Sequence, residues 1–314
     1  MTESTTQDGR PVRQLGRVSA LLLWPGLVLS SAAILGFGIA SGYPESLPLR
    51  TFIYFNLSYF CWLGPWLFYL ERRYPYRSRW RESDRQLGAD LGHTLLNKGL
   101  VQVTLLTLMS LPFFANRGEE GMLGDWPLWA QVLVGLTAME FGLYWAHRLS
   151  HEWPVLWRYH AVHHSVRRLW VVNTGRFHFI DSNLSVLSSV PFLLGAGISM
   201  EAIIWVNAIT AWLGLLTHCN IGMQGGWLDY LFNTPNLHRW HHSTNPVEGN
   251  NNYGQNLVIW DQLFGTFLRR PDKDLGEIGI SERMPRRFLQ QLLVPFIWKR
   301  YQRESVRADP ASLV

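Results

Sequence analysis

The sequence predicts an all-α integral membrane protein with about four transmembrane helices, further re-entrant or interfacial helices, and a histidine-rich helical region on the cytoplasmic face. Three observations lead there: apolar runs near bilayer length, arginines gathered on one side of those runs, and histidines repeated at helical spacing. Composition agrees, since hydrophobic residues make up 47% and charged residues only 16% of the 314 residues, against roughly 25% charged in soluble domains. A mean hydropathy of -0.01 is low for a bundle of spanning helices alone, so much of the chain should lie outside the bilayer. Two cysteines, Cys61 and Cys219, leave no disulfide framework.

The first apolar run covers about Val18 to Ala40 and the second about Phe52 to Leu70, each near the ~20 residues that span the hydrocarbon core. The first is too long for a signal-peptide core and reads as a retained helix. Gly42, Pro44 and Pro48 punctuate a tight turn between them. A third run follows at about Thr94 to Phe114 and a fourth at about Leu128 to Ala146. Arg10, Arg13 and Arg17 precede the first run, and Arg72, Arg73, Arg77, Arg79, Arg81 and Arg85 fill the loop after the second. The loop after the third instead carries Glu119, Glu120 and Asp125 against Arg117. Basic residues stay cytoplasmic, so the N-terminus and the region after the fourth run are expected there, in a bacterial inner membrane. A formal charge of +5 is thereby accounted for by lipid headgroups rather than nucleic acid.

Between Leu184 and Thr217 a further apolar stretch is broken by Pro191, Gly195 and Gly197, which fits two short helices, a re-entrant pair or two extra spans; partial insertion is preferred because it keeps the histidines on one side. The tail mixes Arg286, Arg287, Lys299 and Arg300 with Phe288, Leu292, Leu293, Phe296 and Trp298, the pattern of an interfacial amphipathic helix or of a packing helix. The expected organisation is a transmembrane region at 1–126, a histidine-bearing region at 127–270 and the tail at 271–314.

Ten of the 11 histidines lie from His147 to His242, where even scatter would place about three or four. They form His147-x3-His151, His160-x2-His163-His164 and His238-x2-His241-His242, with His178 and His218 alone between them. Residues three and four apart share a helix face, so each group can aim imidazoles at one point. Neutral imidazole is the commonest metal ligand, and eight to ten are too many for one ion, which uses roughly two to four protein ligands. A zinc hydrolase is disfavoured because His151-Glu152 lacks the second histidine of H-E-x-x-H.

These spacings resemble the fatty acid hydroxylase and sterol desaturase superfamily. So do Arg176-Phe177-His178, Asn252-Tyr253-Gly254 and Trp260-Asp261-Gln262-Leu263-Phe264-Gly265-Thr266, and the likeness covers roughly Glu71 to Leu268. It implies a membrane-bound non-haem diiron oxygenase in which two Fe ions, replaceable by Zn on purification, use O2 to hydroxylate or desaturate a lipid. By the same resemblance the ligands fall on His147, His151, His160, His163, His164, His238, His241 and His242, with His218 as a ninth. Where some relatives carry another histidine this chain has Gly222, which leaves a tenth position to His178 or to a water held by Asn220.

Asp181, Glu140, Asp229 and Asp261 are candidates to accept the second ring N–H of a ligand histidine. Trp145, Trp153, Trp157, Trp170, Trp212 and Trp240 could wall a substrate channel. No nicotinamide, flavin or haem motif is present, so electrons are expected from a separate protein. The alternative reading is a membrane protein that binds metal without turnover. The lipid itself is not written in the sequence.

Overall fold

The computed structural model describes residues 3–5, 11–111 and 121–308; the expectations placed on Arg10, Arg117, Glu119 and Glu120 lie outside the described residues. It is an all-α architecture apart from a small antiparallel ribbon of β1 (Glu3–Thr5) and β2 (Pro11–Arg13).

Helix α1 (Arg17–Ser41) ends at Gly42, whose φ of 69° is the left-handed C-terminal conformation that glycine adopts freely. The chain turns and returns as α2 (Leu47–Asn56), a wider π-type segment (Leu57–Leu63) and α3 (Gly64–Arg73). This hairpin is tied by Trp62 Nε1 donating to Ser30 Oγ at 2.9 Å, a polar contact of the kind that joins helices where water is scarce. Helices α4 (Leu87–Ser110) and α5 (Leu128–Glu152) correspond to the third and fourth expected runs. The contested stretch forms two helices, α7 (Phe179–Gly195) and α8 (Met200–Thr217), which follow α6 (Pro154–His164). By length and apolarity, α1 and α8 qualify as membrane-crossing helices among the described residues, with α7 apolar but shorter.

Two apolar cores hold these helices together. Trp24, Leu35, Leu63, Leu67, Trp212 and Leu216 join α1, the second rod and α8. Leu136, Leu143, Leu193 and Val206 join α5, α7 and α8. The second depends on close approach: a Cβ on Gly142 would stand 2.0 Å from the Ser188 carbonyl oxygen, so only glycine lets α5 and α7 meet there.

Short elements then close over the histidine-bearing end: α9 (Pro235–His241), α10 (Pro246–Gly249), α11 (Ile259–Leu263), α12 (Phe288–Leu293) and α13 (Trp298–Ala308). The tail packs onto the histidine region, with Val294 and Trp298 buried beside Ala161 and Ile280, while Leu289, Leu293 and Phe296 remain exposed.

Candidate metal centre

Nine histidines converge, in two sets rather than three. His147, His151, His160, His164 and His241 form the first, and His163, His218, His238 and His242 the second; within each set the ligating nitrogens lie within 4.8 Å of one another. The sequence groups therefore divide. On α6 the i,i+4 pair His160 and His164 serves the first set while His163 turns to the second, and on α9 His238 and its i+4 neighbour His242 serve the second while His241 turns to the first. Successive helical residues differ by about 100°, so adjacent histidines cannot share one point. The sets touch, with the His164 and His242 rings stacked at 4.4 Å between centroids.

The hydrogen bonds fix which ring nitrogens face inward. His147 Nδ1 donates to the Tyr253 carbonyl at 2.6 Å, His163 Nδ1 to Arg176 O at 3.2 Å and His241 Nδ1 to Asn251 O at 2.8 Å. A carbonyl oxygen can only accept, so each Nδ1 carries the hydrogen and each Nε2 is a bare lone pair. His160 Nδ1 donates to Asp181 Oδ2 at 2.8 Å, and His218 Nδ1 to Asn173 Oδ1 at 3.0 Å, the amide being oriented by Asn173 Nδ2 donating to Arg168 O. His147 Nε2 and His160 Nε2 then face each other at 3.0 Å with no hydrogen between them, and His218 Nε2 and His241 Nε2 are buried without a partner. Converging lone pairs repel unless a cation sits among them. Two nitrogens each about 2.1 Å from one ion and at right angles to each other would be about 3.0 Å apart, which matches 3.0 Å here and 3.1 Å for His151–His164 and His238–His242.

Burial, reinforced for most of them by neighbouring imidazoles, drives His147, His151, His163, His164, His238, His241 and His242 far below the ordinary imidazole value and His218 to about 3. They are neutral at physiological pH, the state a metal requires.

Several expected roles fall elsewhere. His178 joins neither set: its Nε2 donates to Leu292 O at 3.2 Å and its Nδ1 accepts from Ile180 N, which pins the tail to the start of α7. Asn220 clamps the backbone of Arg77 through both ends of its amide. Of the four acids only Asp181 meets a histidine. Asp261 takes the backbone N–H groups of Tyr253 and Gly254 at 2.7 and 2.8 Å and the Thr266 hydroxyl at 2.7 Å, thereby fixing the Tyr253 carbonyl that orients His147. Glu140 holds the backbone of Gln255 and Asn256, and Asp229 binds Thr234 and Arg269. In Arg176-Phe177-His178 the first two residues serve the centre: Arg176, fully buried, pairs with Asp90 at 3.0 Å, and Phe177 stacks on His163 at 4.0 Å.

A cavity of about 340 Å3 opens onto the first set, lined by His151, His164, His241, Trp157, Asn250 and Glu282. Trp157 is the one of the six tryptophans that reaches it. Trp212 is buried against Ser58, Trp240 packs with Trp80 and Leu169, Trp170 donates to Asp90, Trp145 meets Phe264 and Trp153 is exposed. The backbone acceptors at Tyr253, Arg176 and Asn251, and the amide of Asn173, carry no signal in the sequence, because nothing in a residue's type announces where its carbonyl points.

The fatty acid hydroxylase family matches residues 132–266. The chain is 43% identical over 303 residues to the ornithine lipid hydroxylase OlsE of Rhizobium tropici, covering 93% of this chain and 88% of that protein. It is 33% identical over 204 residues to an alkylglycerol monooxygenase of Xenopus tropicalis, covering 59% of this chain and 44% of the relative. It is 27% identical over 179 residues to the fatty acid hydroxylase vlmA of Lecanicillium sp, covering 51% and 48%. No solved structure matches. The chain belongs to the fatty acid hydroxylase family and is a membrane lipid hydroxylase, an oxidoreductase.

Proposed function

We propose that each histidine set holds one Fe ion and that the pair hydroxylates an ornithine lipid or a closely related aminolipid. The observation that carries the metal reading is the inward convergence of imidazole lone pairs, with the opposite nitrogens of His147, His160, His163, His218 and His241 tied to oxygen acceptors. The ligands on this reading are His147, His151, His160, His164 and His241 at one ion and His163, His218, His238 and His242 at the other, and His178 is structural. The substrate class rests on the near full-length similarity to OlsE.

Iron held there would supply open positions for O2 and relay two electrons from a separate donor protein, so that with two protons one oxygen atom enters a C–H bond and the other leaves as water. The chain's own residues orient and exclude. Asp181 and the Tyr253, Arg176 and Asn251 carbonyls hold the imidazole planes. Trp157 stands 5.2 Å from the His151 ring at the mouth and narrows access for water. On the apolar side, a groove of about 430 Å3 between α5, α7 and Trp260 offers a surface suited to an acyl chain, and the packed rings of Phe264, Tyr144 and Tyr253 lie between it and His147.

Four crossings, formed by α1, the α2–α3 rod, α4 and the apolar part of α5 up to Ala146, would leave the histidines of the catalytic region, 127–270, on the cytoplasmic face of the inner membrane, with 271–314 packed as a tail. The test is expression in a bacterium that makes ornithine lipid but lacks this activity, followed by lipid mass spectrometry. A gain of one oxygen on ornithine lipid supports the reading. Loss of two hydrogens would make the enzyme a desaturase, and a change confined to other lipids would remove the aminolipid assignment.

A further inference from the structure

A second polar cavity lies behind the metal centre, on the face of α9 that carries Leu237 and Trp240 rather than the histidines. It measures about 550 Å3, and its cationic lining is Arg17, Arg239, Arg269, Arg270 and Lys273. Two carboxylates, Asp229 and Asp274, also line it, and Asp229 is already engaged by Arg269 at 2.9 Å. The surplus is three positive charges around one concave space.

Arg239 is the buried member, 2% exposed. Its Nη2 donates to Cys219 O and Ile221 O at 2.9 and 2.7 Å, its Nη1 to Asn236 Oδ1 at 3.2 Å, and its guanidinium lies 4.0 Å over the Tyr76 ring. Its Nε is buried with no hydrogen-bond partner. A guanidinium held this firmly among the cavity's other cations, Arg17, Arg270 and Lys273, presents a fixed positive charge to an anion entering that space.

The position of the cavity indicates which anion. Arg17 begins α1, a helix long and apolar enough to cross a membrane, and Gln224 N donates to Ala20 O at 3.0 Å, so the 222–226 loop sits on the first turn of that helix. The cavity is therefore at headgroup depth. Beside it, Trp227, Tyr230 and Leu231 are exposed at 70%, 50% and 49%, an amphipathic rim of the kind found where protein meets the bilayer interface.

We propose that this cavity binds the phosphate of an anionic membrane phospholipid, at a site separate from the metal centre. A recessed guanidinium at the back of a concavity suits a phosphate better than the flat acidic surface of a protein, and α9 stands between the cavity and the metals, which distinguishes this lipid from the substrate.

The test uses the full chain in a nonionic detergent, titrated calorimetrically with dihexanoyl phosphatidylglycerol, dihexanoyl phosphatidylcholine and inorganic phosphate. The phosphatidylglycerol should bind clearly more tightly than the other two. The double variant Arg270→Gln/Lys273→Gln, at two exposed positions remote from the histidines, should bind it roughly tenfold more weakly, as expected for losing charged contacts, with metal content unchanged. Equal affinity for inorganic phosphate would assign the site to a free phosphate compound and overturn the lipid source. Absent binding, or binding unchanged in the double variant, would overturn the site. Retained phosphatidylglycerol binding with lost turnover from a protein electron donor would make the basic rim a protein dock instead.

Discussion

The two histidine sets share α6 and α9 but differ in their third source, α5 for the first and the end of α8 for the second, and they meet their surroundings differently. The first has five imidazoles, one of them, His151, only partly buried, and three of them line a polar mouth. The second has four, all buried, and none lines that mouth. The helical repeat alone therefore does not make two equivalent sites. What surrounds each set decides which can exchange water, O2 and protons, and the first is the one placed to do so. The second is closed and draws its support from Asn173, the Arg176 carbonyl and the Phe177 ring.

The largest expected effect removes one ligand from each set. His163→Ala empties a position in the closed set and His241→Ala one in the open set, and lipid product should fall to background in both, measured on membrane-inserted protein at matched levels. Activity surviving at either position would show that only the other set carries the chemistry.

Next in size is acidification. Burial holds these histidines neutral in the folded protein, whereas the unfolded chain protonates them near 6.5. Their folded values lie below their unfolded values, so the unfolded state binds more protons as pH falls through about 6.5. Stability is complete above that pH and drops steeply below it. Thermal unfolding of the metal-free protein followed from pH 7.5 to 5 should show this, and a flat profile would mean that water already reaches both sets.

Asp181→Ala tests support rather than ligation. It removes the 2.8 Å acceptor of His160 and should lower metal affinity or activity by about 10- to 100-fold, with the loss centred on the open set. The smallest effect is expected for His178→Ala, which breaks a tie to Leu292 O at a cost of about 1–3 kcal/mol and leaves metal content intact. A lost ion in that variant would restore His178 as a ligand.

How much of this was legible in the sequence depends on the kind of information. The three histidine groups stand out because ligand spacing is a local property of one helix, and Asn252-Tyr253-Gly254 and Trp260 to Thr266 stand out because Asp261 must grip that backbone. The apolar runs gave α1 nearly to its ends, whereas α4 begins at Leu87, ahead of the run from Thr94, and α5 continues past Ala146 to Glu152. What did not show was the division of each triplet between two sets, since that depends on how α6 and α9 are rotated against each other. His178 looked like a ligand by residue type and neighbourhood, and only its turn toward Leu292 separates it. His93, the one histidine outside the range His147 to His242, is fully buried and meets Gln291 at 3.1 Å, 198 residues away, a contact no local pattern encodes.

The most direct measurement is the iron content per chain of purified, folded protein from iron-replete membranes, for the parent and for His151→Ala and His242→Ala. About two ions are expected in the parent and about one in His242→Ala, where three imidazoles remain in the closed set. His151→Ala keeps four in the open set and should retain more iron than His242→Ala. One ion or none in the folded parent, or equal losses in the two variants, would contradict a pair of unequal histidine sites.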